Sequence, residues 1–273
     1  MDTIAHYKIL ERVGESRLGE IFRARDTRLG RTVAIKIPPD AVQNDAATRE
    51  AFLADANTAQ ALSHPGIAAL YEIGNDNGRL FLACEFVPGD ALDRTIAGHA
   101  LNPRRAIDIA AQVADALAEV HASGLAYGHV VPSAIVVTPK GNAKLLDVGF
   151  GRWTHADGAL GDEATDVRDL RRLLFEMLTG KPPAADGAAP GAVNKSLPPE
   201  VDGVATKNYE LAVSFAADLR AVGAILEVRT EAAEKSRGVV VRGKTSSSKT
   251  PWIAGALLGA AAALAAAWWW MRH

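Results

Sequence analysis

Residues 124–137 read GLAYGHVVPSAIVV, a glycine after a helical run, then a proline, then a short apolar strand. Two polar side chains, His129 and Ser133, stand there, where a catalytic loop would carry more. An imidazole titrates near pH 6.5, so His129 has the chemistry to accept a proton at neutral pH. The plainer reading is a polar loop residue, and it is the one preferred. Among the other histidines, His6, His64, His99, His121 and His155 show no metal-ligand spacing. A single cysteine, Cys84, excludes an intrachain disulfide and fits a reducing compartment.

The elements around this loop fall into two groups. YKILERVGESRLGEIFRAR, residues 7–25, alternates apolar and polar on both sides of a glycine-containing turn, the pattern of a hairpin. RTVAIKIPP supplies a third strand. TREAFLADANTAQALS is a helix with Phe52, Ala56, Ala59 and Leu62 on one face. IAALYEIGNDNGRLFLACEFV gives two strands around an Asn-Asp-Asn-Gly turn. Residues 1–88 are therefore expected to form a five-strand antiparallel sheet with one helix. From Arg104 the pattern turns helical, with Ala110, Val113, Leu117 and Val120 inward as far as Gly124. AIVVTPKGNAKLLDVG is a hairpin. DVRDLRRLLFEMLTG is an amphipathic helix capped by Gly180. KPPAADGAAPGAVNKSLPPE reads as loop, and ELAVSFAADLRAVGAILEV as a last helix. The fold class is α+β, with a second, mainly helical and shortened lobe over 89–230.

With 273 residues the chain can bury a sizeable core. A net charge of −2 offers no basic surface for nucleic acid. Residues 231–250 read as a flexible basic linker, and 251–270, PWIAGALLGAAAALAAAWWW, carry no charge. From Trp252 such a helix runs about 28 Å, close to the roughly 30 Å of a hydrocarbon core. Tryptophans at both ends suit the interfaces, and the lysines and arginines before it place residues 1–250 in the cytoplasm. The expectation is a tail-anchored, single-pass membrane protein. The alternative is a buried Ala-rich helix.

The two-lobed pattern resembles the protein kinase fold, and the motifs support it in order. VGESRLGEIFRARD resembles a Gly-rich loop, VAIK (33–36) the third-strand lysine motif and HPGI (64–67) the linker after the first long helix. LACEFVPGDAL resembles the hinge, LLDVG (145–149) the metal-binding D-F-G motif, and DVRDLRRLLFEMLTGKPP the central helix. The similarity is to bacterial Ser/Thr kinases of the eukaryotic-like kind and covers about residues 7–227. It aligns GLAYGHVVPSAIVV with the catalytic loop H-R-D-L-K-P-E-N. Tyr127, Gly128, His129, Val131 and Ala134 stand at the His, Arg, Asp, Lys and Asn positions, and Pro132 is retained.

The resemblance then implies a pseudokinase. The family's Asp takes the acceptor's proton, its Lys steadies the moving phosphoryl group and its Asn holds a second metal. His129 is the degenerate catalytic position, and Val131 and Ala134 cannot do the other two jobs. Losing a general base costs about 10²–10⁴-fold and an electrostatic stabiliser about 10²–10³-fold. About eighteen residues separate Asp147 from Asp166, without an A-P-E motif. The Arg that pairs with that motif's Glu late in the domain is missing too.

The nucleotide side is better kept. The resemblance puts Val13, Gly14 and Gly19 in the loop over the phosphates and Lys36 on the phosphates themselves. Asp55 becomes the partner of Lys36, and Glu50 is the other candidate, about 140° away round the helix. Glu85 and Val87 offer hinge backbone groups to adenine, between Ile21, Ala34 and Val136. Asp147 is the candidate Mg²⁺ ligand, and Cys84 sits at the gatekeeper position. Ala59, Leu70, Tyr127 and Val148 form an apolar column between the lobes, and Asp166 holds the 127–129 turn. For Lys36 the plainer alternative is a lysine snorkelling to solvent, and for Asp147 a turn cap. The implied cofactors are ATP and Mg²⁺. The implied partners are a protein, a true kinase at the same membrane being one choice, and the membrane itself, with no nucleic acid. The alternative function is a divergent, weak Ser/Thr kinase using Lys36, Asp147 and His129. A third is a nucleotide sensor whose lobes close on ATP.

Overall fold

Six antiparallel strands build the first lobe in the order β1-β2-β3-β4-β6-β5. They are β1 (Thr3–Ile4), β2 (Tyr7–Ser16), β3 (Gly19–Asp26), β4 (Thr32–Ile37), β5 (Leu70–Asp76) and β6 (Arg79–Glu85). The computed structural model describes residues 2–154 and 161–243. The sheet has one strand more than expected, because residues 3–4 pair with Tyr7 and Lys8 at the edge. The period of two sorts its faces. Val33, Ile35 and Ile37 pack with Tyr7, Phe81 and Ala83 on one face. Ala34 and Lys36 take the other, towards the second lobe.

Helix α1 (Asp40–Asn44) was not foreseen; it precedes α2 (Ala46–Gln60), the expected long helix. The Asp45 carboxylate caps α2 by accepting from the Thr48 amide at 2.7 Å. Phe52, Ala56 and Ala59 lie under the sheet beside Leu70, Leu80 and Leu82.

The second lobe starts with β7 (Asp90–Ala91), α3 (Leu92–Ile96) and α4 (Pro103–Ala122). A 3₁₀ turn at Pro132–Ala134 leads into β8 (Ile135–Val137) and β9 (Ala143–Leu145), which join β7 in a small sheet. Helix α5 (Gly151–Thr154) follows, then the amphipathic α6 (Glu163–Thr179), which buries Val167, Leu170, Leu173, Leu174, Met177 and Leu178. The stretch read as loop after Gly180 contains α7 (Pro190–Val193) and leads into α8 (Pro199–Thr206). Both begin on a proline, which suits a first helical position because its missing N–H would lack a partner there anyway. Buried Pro190, Val201, Val204 and Ala205 hold them down. Helix α9 (Ala212–Gly243) is longer than expected: residues 231–243, read as linker, are helical.

The described residues up to 225 form one compact unit, and those from 226 belong to another. The 251–270 span lies outside the described residues. Among the described residues no helix is long and apolar enough to cross a membrane.

Two glycines of the β2–β3 hairpin differ in what they do. Gly19 has φ +100°, and a Cβ there would meet the Ile37 carbonyl oxygen at 1.8 Å, whereas a Cβ on Gly14 would meet open space. Gly19 is thus required by the packing of β3 on β4. We expect Gly19→Ala to cost about 2 kcal/mol or more, lowering Tm by roughly 4–8 °C. Gly14→Ala should stay within about 0.5 kcal/mol. Thermal denaturation of the two variants checks both.

Candidate functional site

A cavity of about 270 Å³ opens between the lobes. The sheet contributes Val13, Ile21 and Ala34, and the helical lobe contributes Val136 and Leu146. The connecting segment contributes Glu85, Phe86 and Val87, and Lys36 and Asp147 lie at another part of the wall. Eight of the eleven residues expected at a nucleotide site therefore come together. Gly14, Gly19 and Asp55 do not line it. Arg94 of α3 and Phe150 line it and were not foreseen.

Lys36 is buried at 5% exposure, so it does not snorkel to solvent. Its ammonium donates to the Asp147 carboxylate. Burial alone would lower its pKa, but the charge and hydrogen bond of Asp147 outweigh this and hold it above the ordinary lysine value. Asp147 adopts φ 57°, a left-handed conformation that aspartate tolerates better than most residues.

The expected Lys36–Asp55 pair is absent. Asp55 accepts from Arg152 Nη2 at 2.6 Å and from Trp153 Nε1 at 2.7 Å. Both donors sit on α5, four residues formed directly after the Asp147 turn. Phe150 and Trp153 pack on Phe52 of α2, with ring centroids 5.2 and 5.1 Å apart. Gly149 lies so close to α2 that a Cβ on it would stand 2.8 Å from Ala59 Cβ. The apolar cluster around Ala59 and Leu70 accordingly takes in Phe150, while buried Val148 lines the cavity. The aromatic immediately after Gly149 was the signal for this.

The catalytic-loop positions keep their frame. Asp166 is fully buried and accepts from the Tyr127 and Gly128 amides, each at 2.7 Å, as expected. His121 Nε2 stands 2.9 Å from the same carboxylate. Tyr127 donates its hydroxyl to the Leu146 carbonyl at 3.0 Å, and burial, then the nearby Asp147 and Asp166 charges, push its pKa up. His129 does not line the cavity. Its half-exposed ring makes a 2.8 Å hydrogen bond through Nδ1 with Asp169 of α6.

These walls fit a purine better than a metal. A planar base has apolar faces above and below and backbone groups at residues 85–87. Mg²⁺ demands several oxygen ligands. Here Asp147 is bonded to Lys36 and residue 134 is alanine. Among the described residues no group of three or more His, Cys, Asp or Glu is placed to hold a metal ion. The donor set in this arrangement does not fit a divalent ion.

A small β lobe, a helical lobe and a cleft holding the third-strand lysine define a protein-kinase-like fold. The protein kinase domain model matches residues 7–168, and the chain belongs to that family. Its relatives are bacterial Ser/Thr kinases. It is 32% identical over 223 residues to serine/threonine-protein kinase PknA of Mycobacterium tuberculosis, covering 71% of this chain and 52% of that protein. To PrkC of Bacillus subtilis it is 27% identical, over 78% of this chain and 40% of that protein. The chain thus spans about half or less of these relatives' length. The M. tuberculosis PknI kinase domain superposes with a TM-score of 0.65 at 24% identity, over 80% of this chain and 96% of that one, and so shares the fold. Kinase domains generally use ATP and Mg²⁺, the cofactors the family implies.

Cys84 also lines the cavity. Burial, opposed by Lys36 and assisted by Asp147, pushes its thiol pKa up to about 12. At pH 8 the folded protein should hold about a thousandfold less thiolate than an ordinary cysteine, since the thiolate fraction falls tenfold per pH unit of pKa. Iodoacetamide should therefore label Cys84 rapidly in urea and at least 100-fold more slowly in buffer, as read by mass spectrometry.

Proposed function

We propose that this protein is a pseudokinase: it takes an adenine nucleotide into the cleft and acts as a scaffold or regulator of another protein, without transferring phosphate. One observation carries the reading. The described wall of the cavity holds two carboxylates, Asp147 and Glu85, and both are ion-paired, Glu85 with Lys144 at 2.8 Å. Among the described residues of this wall no carboxylate is unpaired to take a hydroxyl's proton, and the resemblance puts His129 where the family has one. Residues 251–270 would attach the protein to a membrane with its kinase-like lobes on the cytoplasmic side, next to a partner such as a true kinase.

The full chain in detergent, incubated with labelled ATP, Mg²⁺ or Mn²⁺ and generic acceptors, should incorporate no label. Robust incorporation that disappears in Lys36→Met overturns the reading. Saturating nucleotide, at 100 times its Kd, should stabilise the protein by about 2.7 kcal/mol, a rise of roughly 5–10 °C in Tm. No rise would leave a scaffold that binds no nucleotide.

The hydrogen bond between His129 and Asp169 favours a second reading, a weak kinase. A carboxylate hydrogen-bonded to Nδ1 fixes the orientation of an imidazole, as in other acid–base dyads. Its mark would be slow incorporation abolished by His129→Ala.

A further inference from the structure

Four charged side chains line the described wall of the cleft: Lys36, Glu85, Arg94 and Asp147. Three are engaged. Lys36 and Asp147 neutralise each other, and Glu85 is neutralised by Lys144. Arg94, on α3, is exposed, and its backbone amide donates to Asp93 Oδ1 at 2.8 Å. Its guanidinium has no hydrogen bond or ion pair with any described residue. The cleft thus carries one uncompensated positive charge, at a place no motif of the sequence marks.

We propose that Arg94 is the anion receptor of this cleft, taking a phosphate of an adenine mononucleotide without any divalent cation. The adenine part rests on the nucleotide-binding reading above; the assignment of Arg94 is new. A phosphate directed at Lys36 must first displace the Asp147 carboxylate from a buried ammonium. That step leaves two anions side by side in a poorly solvated place unless a metal bridges them. A phosphate directed at Arg94 displaces nothing. The guanidinium is already in water, so it loses little hydration, and its planar fork matches two phosphate oxygens at once. Arg94 shares the wall with Val87, Gly89 and Ala91. A base held against the backbone of residues 85–87 therefore lies beside it, and a phosphate on the attached sugar can turn towards it.

Isothermal titration of the full chain in detergent micelles, with adenosine and with ADP, each in excess EDTA, tests this on the native protein and on Arg94→Ala and Arg94→Lys. The native protein should bind ADP at least tenfold more tightly than adenosine with EDTA present. Arg94→Ala should weaken ADP about 10- to 100-fold, the range of a charge-assisted hydrogen-bonded contact, and leave adenosine within about twofold. Arg94→Lys should recover part of the loss. Equal ADP affinity in the native protein and Arg94→Ala overturns the inference while leaving nucleotide binding intact. ADP binding that EDTA abolishes overturns it too, because phosphate then needs a metal. If the native protein takes neither ligand with or without Mg²⁺, the nucleotide reading itself fails, and the inference with it.

Discussion

A buried ammonium must have a counter-charge, and in this protein Lys36 has found it in Asp147. An uncompensated charge in such a place costs about 3–5 kcal/mol, so the choice of partner propagates. Once Asp147 is taken, Asp55 on α2 has lost the cation that the family pattern assigns to it. It is 18% exposed and needs donors of its own. Arg152 and Trp153 supply them because residues 151–154 coil into α5 directly after the Asp147 turn. That coil in turn carries Phe150 under Phe52 and presses Gly149 against Ala59. The ion pair, the short helix and the aromatic packing form one consistent set. Exchanging any pair for the family's arrangement means breaking the others.

The 127–129 turn is held by contacts that do not involve its own side chains. Asp166 holds the 127–129 turn through backbone amides, and backbone amides do not depend on which side chains they carry. A carboxylate with no exposure that accepts two N–H bonds is costly to lose and fixes the turn tightly. Fold stability therefore depends on Asp166 and the buried Tyr127, and not on the side chains at 129, 131 or 134 in the same way. His129 does not line the cavity, and its ring is held instead by Asp169, one turn along α6 from Asp166.

The parts legible in the sequence were those that depend on local pattern. Alternation marked the strands, the 3.6 period marked α4 and α6, and the resemblance of LACEFVPGDAL to a kinase hinge supplied residues 85 and 87. Partner choice was not legible. Whether Lys36 meets Asp55 or Asp147 depends on where α2 sits, and that depends on Phe150 and α5, for which no residue pattern was read. Helices α7 and α8 were hidden because proline and glycine read as loop, although proline at a first helical position starts a helix as readily as it ends one. Arg94 stayed invisible because a single exposed arginine on a five-residue helix carries no periodicity. Its standing comes only from the neutralisation of every other charged group on the same wall.

The helical lobe has settled its own charges in the same way. The Glu–Arg pair that the family buries is missing from the sequence, yet α6 buries another cation, Arg171, at 7% exposure. It donates to Asp186 at 2.7 Å and to the Lys207 carbonyl at 3.0 Å, tying the segments before α7 and after α8 to the central helix. The hydrogen bond from Arg171 holds the Asp186 carboxyl below its usual range against a smaller opposing effect of burial. Asp186 is half in water, so the pair avoids most of the desolvation that a fully buried one suffers. Two buried charges on one helix, Asp166 in its first turns towards the loop and Arg171 at its middle towards the later segments, therefore tie α6 to different parts of the lobe. Neither needs phosphoryl transfer to justify it. Both contacts stabilise the fold whether or not the cleft transfers phosphate.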